Sequence, residues 1–258
     1  MTRRYVDLSV PLEAGIVSDP DIMLPKIEYL NHDDTAEQVC SLFPGMTKEQ
    51  LPGGEGWAVE QLQIATHNGT HLDAPYHYHS TMNNGERAIT IDEVPLEWCF
   101  NPGVKLDFRK FEDGYIVTAE DVEKELERIG HQLKPLDIVM VNTSAGDRYG
   151  KSDFLLKGCG MGREATLYLT ERGVRVTGTD AWSWDAPFPL TAKKFAKEKD
   201  PSIIWEGHRA GMDIGYCHIE KLTNLENLPA NGFEVSCFPF KIKNASAGFT
   251  RAVAIFED

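Results

Sequence analysis

Asp137-Ile-Val-Met-Val-Asn142 is a short and almost entirely apolar run that follows Pro135. Such runs are typical of strands that are covered on both faces of a sheet. A helix is predicted near 163–172, ending at Gly173, and the segment 174–177 then has the pattern of a second strand. The succession of strand, helix and strand indicates a right-handed crossover within one sheet.

The helix with the clearest boundaries is predicted over 118–130. Thr118 and Asp121 have the spacing of a capping box, and Gly130 can adopt the left-handed conformation that ends a helix. Its apolar side chains recur on one face, at Val122, Leu126 and Ile129.

The remaining strands are predicted at 5–12, 57–66, 103–108, 234–242 and 250–256. Residues 13–56 contain four prolines and a Gly-Gly pair, which predicts a loop-rich stretch with room for one short helix. Together these patterns predict a mixed α/β fold, rich in strands, that forms one domain over residues 1–258.

The charge of the chain argues against a nucleic-acid partner. The 258 residues include 26 basic and 40 acidic side chains, for a formal charge of −14. Nucleic-acid affinity depends mainly on neutralising phosphates with Lys and Arg, and an acidic chain repels them. The densest basic stretch, 193–199, is interrupted by Glu198, and we interpret it as the solvated face of a charged helix.

Five widely spaced cysteines without a CxxC pair predict reduced, mostly buried thiols. The first residues lack the apolar core of a signal peptide, and no run approaches the roughly 20 apolar residues of a membrane span. We therefore expect a soluble, cytoplasmic protein with no membrane partner.

Four of the eight histidines lie between residues 67 and 79. His67, His71 and Asp73 supply N and O ligands that Zn²⁺ and similar divalent cations accept. Gly69 permits the sharp turn that would bring these three side chains to one ion. Three protein ligands leave a coordination position open, which is the pattern of a catalytic site. His77 follows closely, and its ordinary pKa suits proton transfer at neutral pH.

The other histidines are interpreted more simply. His79 is expected to be a polar neighbour of the site rather than a ligand. His32, His131 and His218 are isolated in the sequence, and we expect none of them to bind a metal.

The pattern His-x-Gly-Thr-His-x-Asp-x-Pro-x-His over 67–77 resembles the signature of the metal-dependent cyclase-like hydrolases, which include bacterial kynurenine formamidases, isatin hydrolases and polyketide cyclases. Weaker similarity covers nearly the whole chain. It includes segments 7–12, 178–180 and 183–185, the pair His208 and Glu220, and the C-terminal strands.

The resemblance implies a ligand set. His67, His71 and Asp73 would bind a first metal, and Asp73 would bridge to a second metal held by His208 and Glu220. His77 would be the general acid and base. The ion would be Zn²⁺ or Mn²⁺, with one or two ions per subunit, because both metals accept mixed N and O ligands.

The resemblance also implies a fold, an assembly and an activity. The fold would be of the swivelling β/β/α type, with a mixed sheet partly closed into a barrel, in a homodimer or homotetramer. The enzyme would hydrolyse an amide, lactam or lactone-type bond of a small cyclic or aromatic substrate with metal-activated water.

The chain departs from the small formamidases in three stretches. Residues 15–21 lack the Pro-Gly-Asp turn and the tryptophan of those enzymes, and extra residues occur near 31–57 and 186–205. We therefore expect a substrate other than N-formylkynurenine. Trp182 and Trp184 could form aromatic walls of the pocket, but plain core positions are favoured.

Two alternatives share these residues. A carbon–carbon cyclase or dehydratase could use the same ligands to stabilise an enolate. A non-catalytic protein that binds a metal or small molecule could use them as a closed structural site. Product mass separates the first alternative, because hydrolysis adds one water. Metal-dependent melting without turnover would indicate the second.

Overall fold

The computed structural model describes residues 2–257. Its strands are Arg3–Asp7 (β1), Lys26–Leu30 (β2), Val59–Gln63 (β3), His71–Asp73 (β4), Thr81–Met82 (β5), Glu86–Arg87 (β6), Phe100–Asp107 (β7), Ile116–Val117 (β8), Ile138–Asn142 (β9), Gly160–Met161 (β10), Val176–Thr179 (β11), Cys217–Glu220 (β12), Phe233–Ser236 (β13), Ala247–Phe249 (β14) and Val253–Glu257 (β15). Its α-helices are His32–Ser41 (α1), Pro75–Tyr78 (α2), Ala119–Arg128 (α3), Arg163–Thr170 (α4), Phe188–Glu198 (α5) and Glu206–Arg209 (α6).

Nine strands form one mixed sheet in the order β1-β15-β13-β7-β9-β11-β12-β4-β14. The four central strands β7, β9, β11 and β12 run parallel, and the outer strands pair antiparallel. The sheet curls into a half-barrel, so the predicted mixed α/β fold is confirmed. The short strand β4 lies between β12 and β14, which fixes the centre of the histidine-rich segment within the sheet.

The central strands are apolar on both sides because each face of the sheet packs against its own core. All five residues of β9 are buried. Ile138 and Met140 belong to one core cluster, whereas Val139 and Val141 belong to the cluster on the opposite face. The alternation follows from the two-residue period of a strand.

Helix α3 confirms the prediction for 118–130. The Thr118 side chain accepts a hydrogen bond from the backbone N–H of Asp121, and the Asp121 carboxylate accepts one from that of Thr118. Gly130 follows the helix with a φ of +64°. Val122 and Leu126 are buried on the inner face.

Several predicted elements shift or shorten. The strand predicted at 234–242 ends at Ser236, three residues before Pro239, which has no N–H to offer a sheet. The strand predicted at 174–177 lies at 176–179. The segment 57–66 contributes β3, which pairs with β2 in a separate, exposed antiparallel sheet of two strands. Residues 13–56 contain one α-helix, α1, as expected.

The basic stretch 193–199 and the cysteines lie where the composition predicted. The basic stretch 193–199 begins in α5, where Lys193, Lys194 and Lys197 are exposed, as predicted for a solvated helix face. The five cysteines are buried and carry free thiols. Among residues 2–257, no helix combines the length and apolarity needed to cross a membrane.

Candidate metal centre

The register of two neighbouring strands, β4 and β12, brings polar side chains of the site onto one face of the sheet. In the antiparallel pair β4–β12, Asp73 lies opposite His218 and His71 lies opposite Glu220. Directly opposed residues have side chains on the same face. Leu72 and Ile219, which alternate with them, point into the apolar core on the other face.

The conformation of the turn before β4 depends on Gly69 and Thr70. Gly69 has a φ of +57°, a left-handed conformation that a residue with a Cβ adopts at a cost. The Thr70 hydroxyl donates to the carbonyl of Lys221 at 2.7 Å and accepts from the N–H of Val10 at 2.9 Å. This turn brings His67 back toward β4, where His67 Nδ1 lies 2.9 Å from Asp73 Oδ1.

Asp73 is the centre of the cluster. It is completely buried, and one oxygen, Oδ1, lies 2.9 Å from His67 Nδ1 and 3.3 Å from His71 Nε2. The other oxygen, Oδ2, lies 3.1 Å from His218 Nε2 and 3.8 Å from His77 Nε2. Burial alone would raise the pKa of Asp73, but the surrounding imidazoles of His71, His77 and His67 hold that pKa well below its usual value.

Glu220 and His208 complete the second half of the cluster. Glu220 Oε1 lies 3.2 Å from His218 Nε2 and 3.7 Å from His208 Nε2, and it accepts a hydrogen bond from the N–H of Trp184 at 3.1 Å. His208 is carried by the short helix α6, which Asp185 anchors by accepting the backbone N–H groups of Gly207 and His208.

Several ring nitrogens have partners outside the cluster that orient the imidazoles. His71 Nδ1 is 2.9 Å from the carbonyl of Gly69, an acceptor, so this nitrogen carries the proton and leaves Nε2 free to bind. His208 Nδ1 pairs with Asp185, and His218 Nδ1 lies 3.1 Å from the hydroxyl of Tyr78. Partners of this kind orient histidine ligands in metal sites.

The donor set fits a divalent cation. Eight buried side-chain polar atoms among residues 2–257 have no hydrogen-bond partner, and four of them belong to this one cluster: His71 Nε2, Asp73 Oδ1, Asp73 Oδ2 and His218 Nε2. A buried polar group without a partner is costly, and a cation would supply the missing partner to all four. Two groups have ligand atoms within 4.8 Å of one another, namely Asp73 with His208, His218 and Glu220, and Asp73 with His67 and His77.

The cluster borders a cavity on the side of His67 and His77. His71, His218 and His208 are buried, whereas the side chains of His67 and His77 are partly exposed. These two line a cavity of about 210 Å³ together with aromatic side chains. The aromatic walls are Trp182, Phe188 and Trp205.

His77 lies on this open side. It follows Pro75 in the short helix α2, and its ring centroid is 4.1 Å from that of His67. Burial lowers the pKa of His77 to about 4, against the raising effect of Asp73, so the imidazole is neutral at pH 7. A neutral imidazole beside a cavity can accept a proton from a molecule bound there.

All six predicted site residues, His67, His71, Asp73, His77, His208 and Glu220, lie in this cluster. His218, for which no metal binding was expected, lies at the centre of the cluster, with its Nε2 atom 3.1 Å from Asp73 and 3.2 Å from Glu220. Its spacing of two residues from Glu220 within one strand was the available signal.

The remaining predictions for single residues are as follows. His131 pairs with Asp137 at 2.8 Å, and His32 is exposed at the start of α1. His79 is exposed and bonded to Thr81. Trp184 belongs to the core as favoured, whereas Trp182 lines the cavity.

Comparisons with known proteins agree with this fold. A family model described as "Putative cyclase" matches residues 6–186. The kynurenine formamidase of Salinibacter ruber (strain DSM 13855 / M31) is 29% identical over 198 residues, which cover 74% of this chain and 77% of that protein. The kynurenine formamidase of Bacillus anthracis is 23% identical over 253 residues, covering 98% and 97%.

Solved structures of similar fold include two isatin hydrolases. Isatin hydrolase A from Labrenzia aggregata, bound to benzyl benzoate, superposes with a TM-score of 0.74 at 24% identity, covering 99% of this chain and 94% of that one. Isatin hydrolase A from Ralstonia solanacearum superposes with a TM-score of 0.77 at 23% identity, covering 99% and 92%.

Proposed function

The chain belongs to the cyclase family, and on this premise we propose that it is a metal-dependent hydrolase that cleaves an amide, lactam or lactone-type bond of a small aromatic or cyclic substrate. The observation that carries the proposal is the set of four buried, unpartnered ligand atoms around Asp73 beside an aromatic cavity. The similarity to kynurenine formamidases and isatin hydrolases supports the same class of reaction.

The proposed ligands fall into two groups that share Asp73. His67 and His71 approach one oxygen of Asp73, and His218 approaches the other, together with Glu220 and His208. A carboxylate with two oxygens can serve two cations, so the cluster could hold one or two ions. The mixed N and O donors suit Zn²⁺ or Mn²⁺.

A divalent cation bound here would polarise a carbonyl oxygen and lower the pKa of a water molecule. The chain itself supplies the remaining functions. His77 Nε2 accepts a proton from the attacking water and then donates it to the leaving nitrogen or oxygen, so that the proton moves from water to the leaving group as the acyl bond breaks. The lowered pKa of His77 makes the protonated imidazole a stronger donor for the second transfer and the neutral imidazole a weaker base for the first.

The aromatic side chains position the substrate and keep bulk water away. Trp182 and Phe188 meet edge to face at a centroid distance of 5.3 Å, and Trp205 stacks on His208 at 4.5 Å. A flat aromatic substrate fits between such rings, because aromatic pairs favour edge-to-face and offset arrangements.

The test is a panel of formanilides, lactams and lactones, with metal content measured on the same preparations. We expect wild type to add one water to a member of the panel. His71→Ala should lose both metal and activity, whereas His77→Ala should retain metal and lose about 10²–10⁴-fold in turnover. His79→Ala is the control, because His79 is exposed and should retain both properties.

The outcomes separate the possible functions. If His77→Ala is as fast as wild type, the role of His77 is wrong. A product of unchanged mass would indicate a cyclase, and a metal-loaded wild type that is inert on the whole panel would refute the hydrolase proposal.

We further propose that this single-domain, cytoplasmic enzyme forms a homodimer or homotetramer. The two-stranded sheet β2–β3 supports this proposal because most of its residues are exposed, and Tyr29 and Leu62 place exposed apolar side chains on the same face. Exposed apolar clusters mark interaction surfaces. Light scattering after size exclusion should give a multiple of 28.9 kDa, and a monomer mass would refute the assembly.

A further inference from the structure

A second and larger cavity lies against the proposed active site. Its volume is about 410 Å³, and its accessible lining is almost wholly apolar. It shares two wall residues, Phe188 and Trp205, with the cavity beside His77. The rest of its wall consists of Asp185, Ala186, Thr191, Ala192, Phe195 and Ile204.

Trp205 connects the two cavities. Its ring stacks on His208 and lies 5.2 Å from the ring of His77, and it also forms part of the apolar wall. Its φ of +57° is rare for a bulky residue, and strained residues of this kind cluster at functional sites. Its indole N–H is buried and has no acceptor among the residues that the structure describes.

The other wall is the apolar face of α5. None of the eleven residues of this helix is fully buried, although Phe188, Ala192 and Phe195 line the cavity. An amphipathic helix usually gains its stability by packing its apolar face against other side chains. Here that face borders a cavity, so an apolar ligand would bury surface that the fold leaves uncovered.

We propose that this cavity is a subsite for an apolar extension of the substrate, so that the enzyme acts on aromatic amides that carry an alkyl or aryl group. The inference rests on the proposed hydrolase function and specifies its substrate class. The two cavities lie side by side and share Phe188 and Trp205 as wall residues, and this adjacency favours the substrate over any other occupant. Ala192, a small residue on the cavity wall, is then a determinant of how long an extension can be.

The test uses N-formylanilines with hydrogen, methyl, ethyl or butyl at the para position. For wild type, kcat/KM should rise with chain length by up to roughly fourfold per methylene, the factor that corresponds to about 0.8 kcal/mol. In Ala192→Trp, which fills the cavity, the ratio of butyl to unsubstituted substrate should fall toward one. Lys197→Trp places the same side chain on an exposed position of α5 and should keep the wild-type ratio.

A binding measurement separates this inference from the hydrolase function. Calorimetric titration with aniline and para-butylaniline should show tighter binding of the butyl compound by wild type and a smaller difference in Ala192→Trp. If this pattern appears and no formanilide, lactam or lactone of the panel is hydrolysed, the subsite stands and the hydrolase proposal fails. If hydrolysis occurs without dependence on chain length, or Ala192→Trp keeps the wild-type ratio, the subsite is refuted. If Ala192→Trp lowers the oligomer mass and keeps that ratio, the face is a subunit interface and the subsite is again refuted.

Discussion

Replacing Lys221 with Met should destabilise the metal-free protein by about 3 kcal/mol. Lys221 is 1% exposed and donates to the carboxylate of Asp19, which is 2% exposed. It also donates to the carbonyl of His67 at 2.7 Å, so it connects Asp19, in the loop between β1 and β2, to the first residue of the metal cluster. Removing one partner of a buried ion pair costs about 3–5 kcal/mol, because the other charge remains buried.

The remaining partners of Asp19 place the cost at the lower end of that range. Its carboxylate also accepts hydrogen bonds of 3.0 Å from Ser18, Asn68 and Trp182. These neutral donors continue to solvate the carboxylate after Lys221→Met. Asp19→Asn should also be destabilising, whereas the double variant should cost roughly 2 kcal/mol less than the sum of the two, because it leaves no buried charge unpaired.

The assay is urea denaturation with a chelator present, so that metal binding does not contribute to the free energy of unfolding. Lys151→Met is the matched control. Lys151 is half exposed and lies 3.8 Å from Asp147, so its loss should cost less than about 0.5 kcal/mol. A cost below about 1 kcal/mol for Lys221→Met, or strict additivity in the double variant, would refute this reasoning.

Two further predictions concern a buried carboxyl group and an orienting residue. Burial raises the pKa of Asp180 to about 7, although hydrogen bonds from Thr143 and Asn142 oppose the shift. The folded state therefore holds this proton more tightly than the unfolded state. As the pH rises from 4 to 7, the free energy of unfolding of wild type should fall by up to about 4 kcal/mol relative to that of Asp180→Asn. Parallel profiles of this free energy against pH for the two proteins would contradict the prediction. Asp185→Asn should weaken metal binding by about 10–100-fold, because the anion that orients the His208 ring is lost. Competition with a chelator measures the Kd of the metal, and an unchanged Kd would show that the pairing of Asp185 with His208 does not affect metal binding.

Much of the site could be predicted from sequence because its densest part is local. His67, His71, Asp73 and His77 lie within eleven residues, and the turn at Gly69 that gathers them is visible as a residue type. Likewise, the ends of α3 follow from a capping box and a glycine in the chain itself.

The place of His218 depends on a contact between distant parts of the chain. Asp73 and His218 lie opposite each other because β4 pairs with β12. The two residues are 145 positions apart in the sequence, and local sequence patterns do not predict which distant strands pair or in which register. The alternation of His218 and Glu220 around Ile219 shows only that the two polar side chains share a face. It does not show which strand lies beside them.

The surroundings of the two-stranded sheet β2–β3 and of helix α5 were also hard to predict, because they depend on residues distant in sequence. The sequence pattern of 57–66 correctly indicates a strand, but it does not show that the strand leaves the main sheet. The charged residues of α5 indicate a solvated face, whereas the cavity beneath its other face depends on Trp205 and Ile204, which lie beyond the helix.

The most direct test of the account is a crystal structure of the protein loaded with Zn²⁺ or Mn²⁺, with anomalous scattering recorded at the absorption edge of the metal. We predict an anomalous peak within about 2.0–2.2 Å of an oxygen of Asp73, ligated by histidines of the cluster and accessible from the cavity beside His77. A peak only elsewhere, or an ion enclosed on all sides by protein ligands, would contradict the central claim.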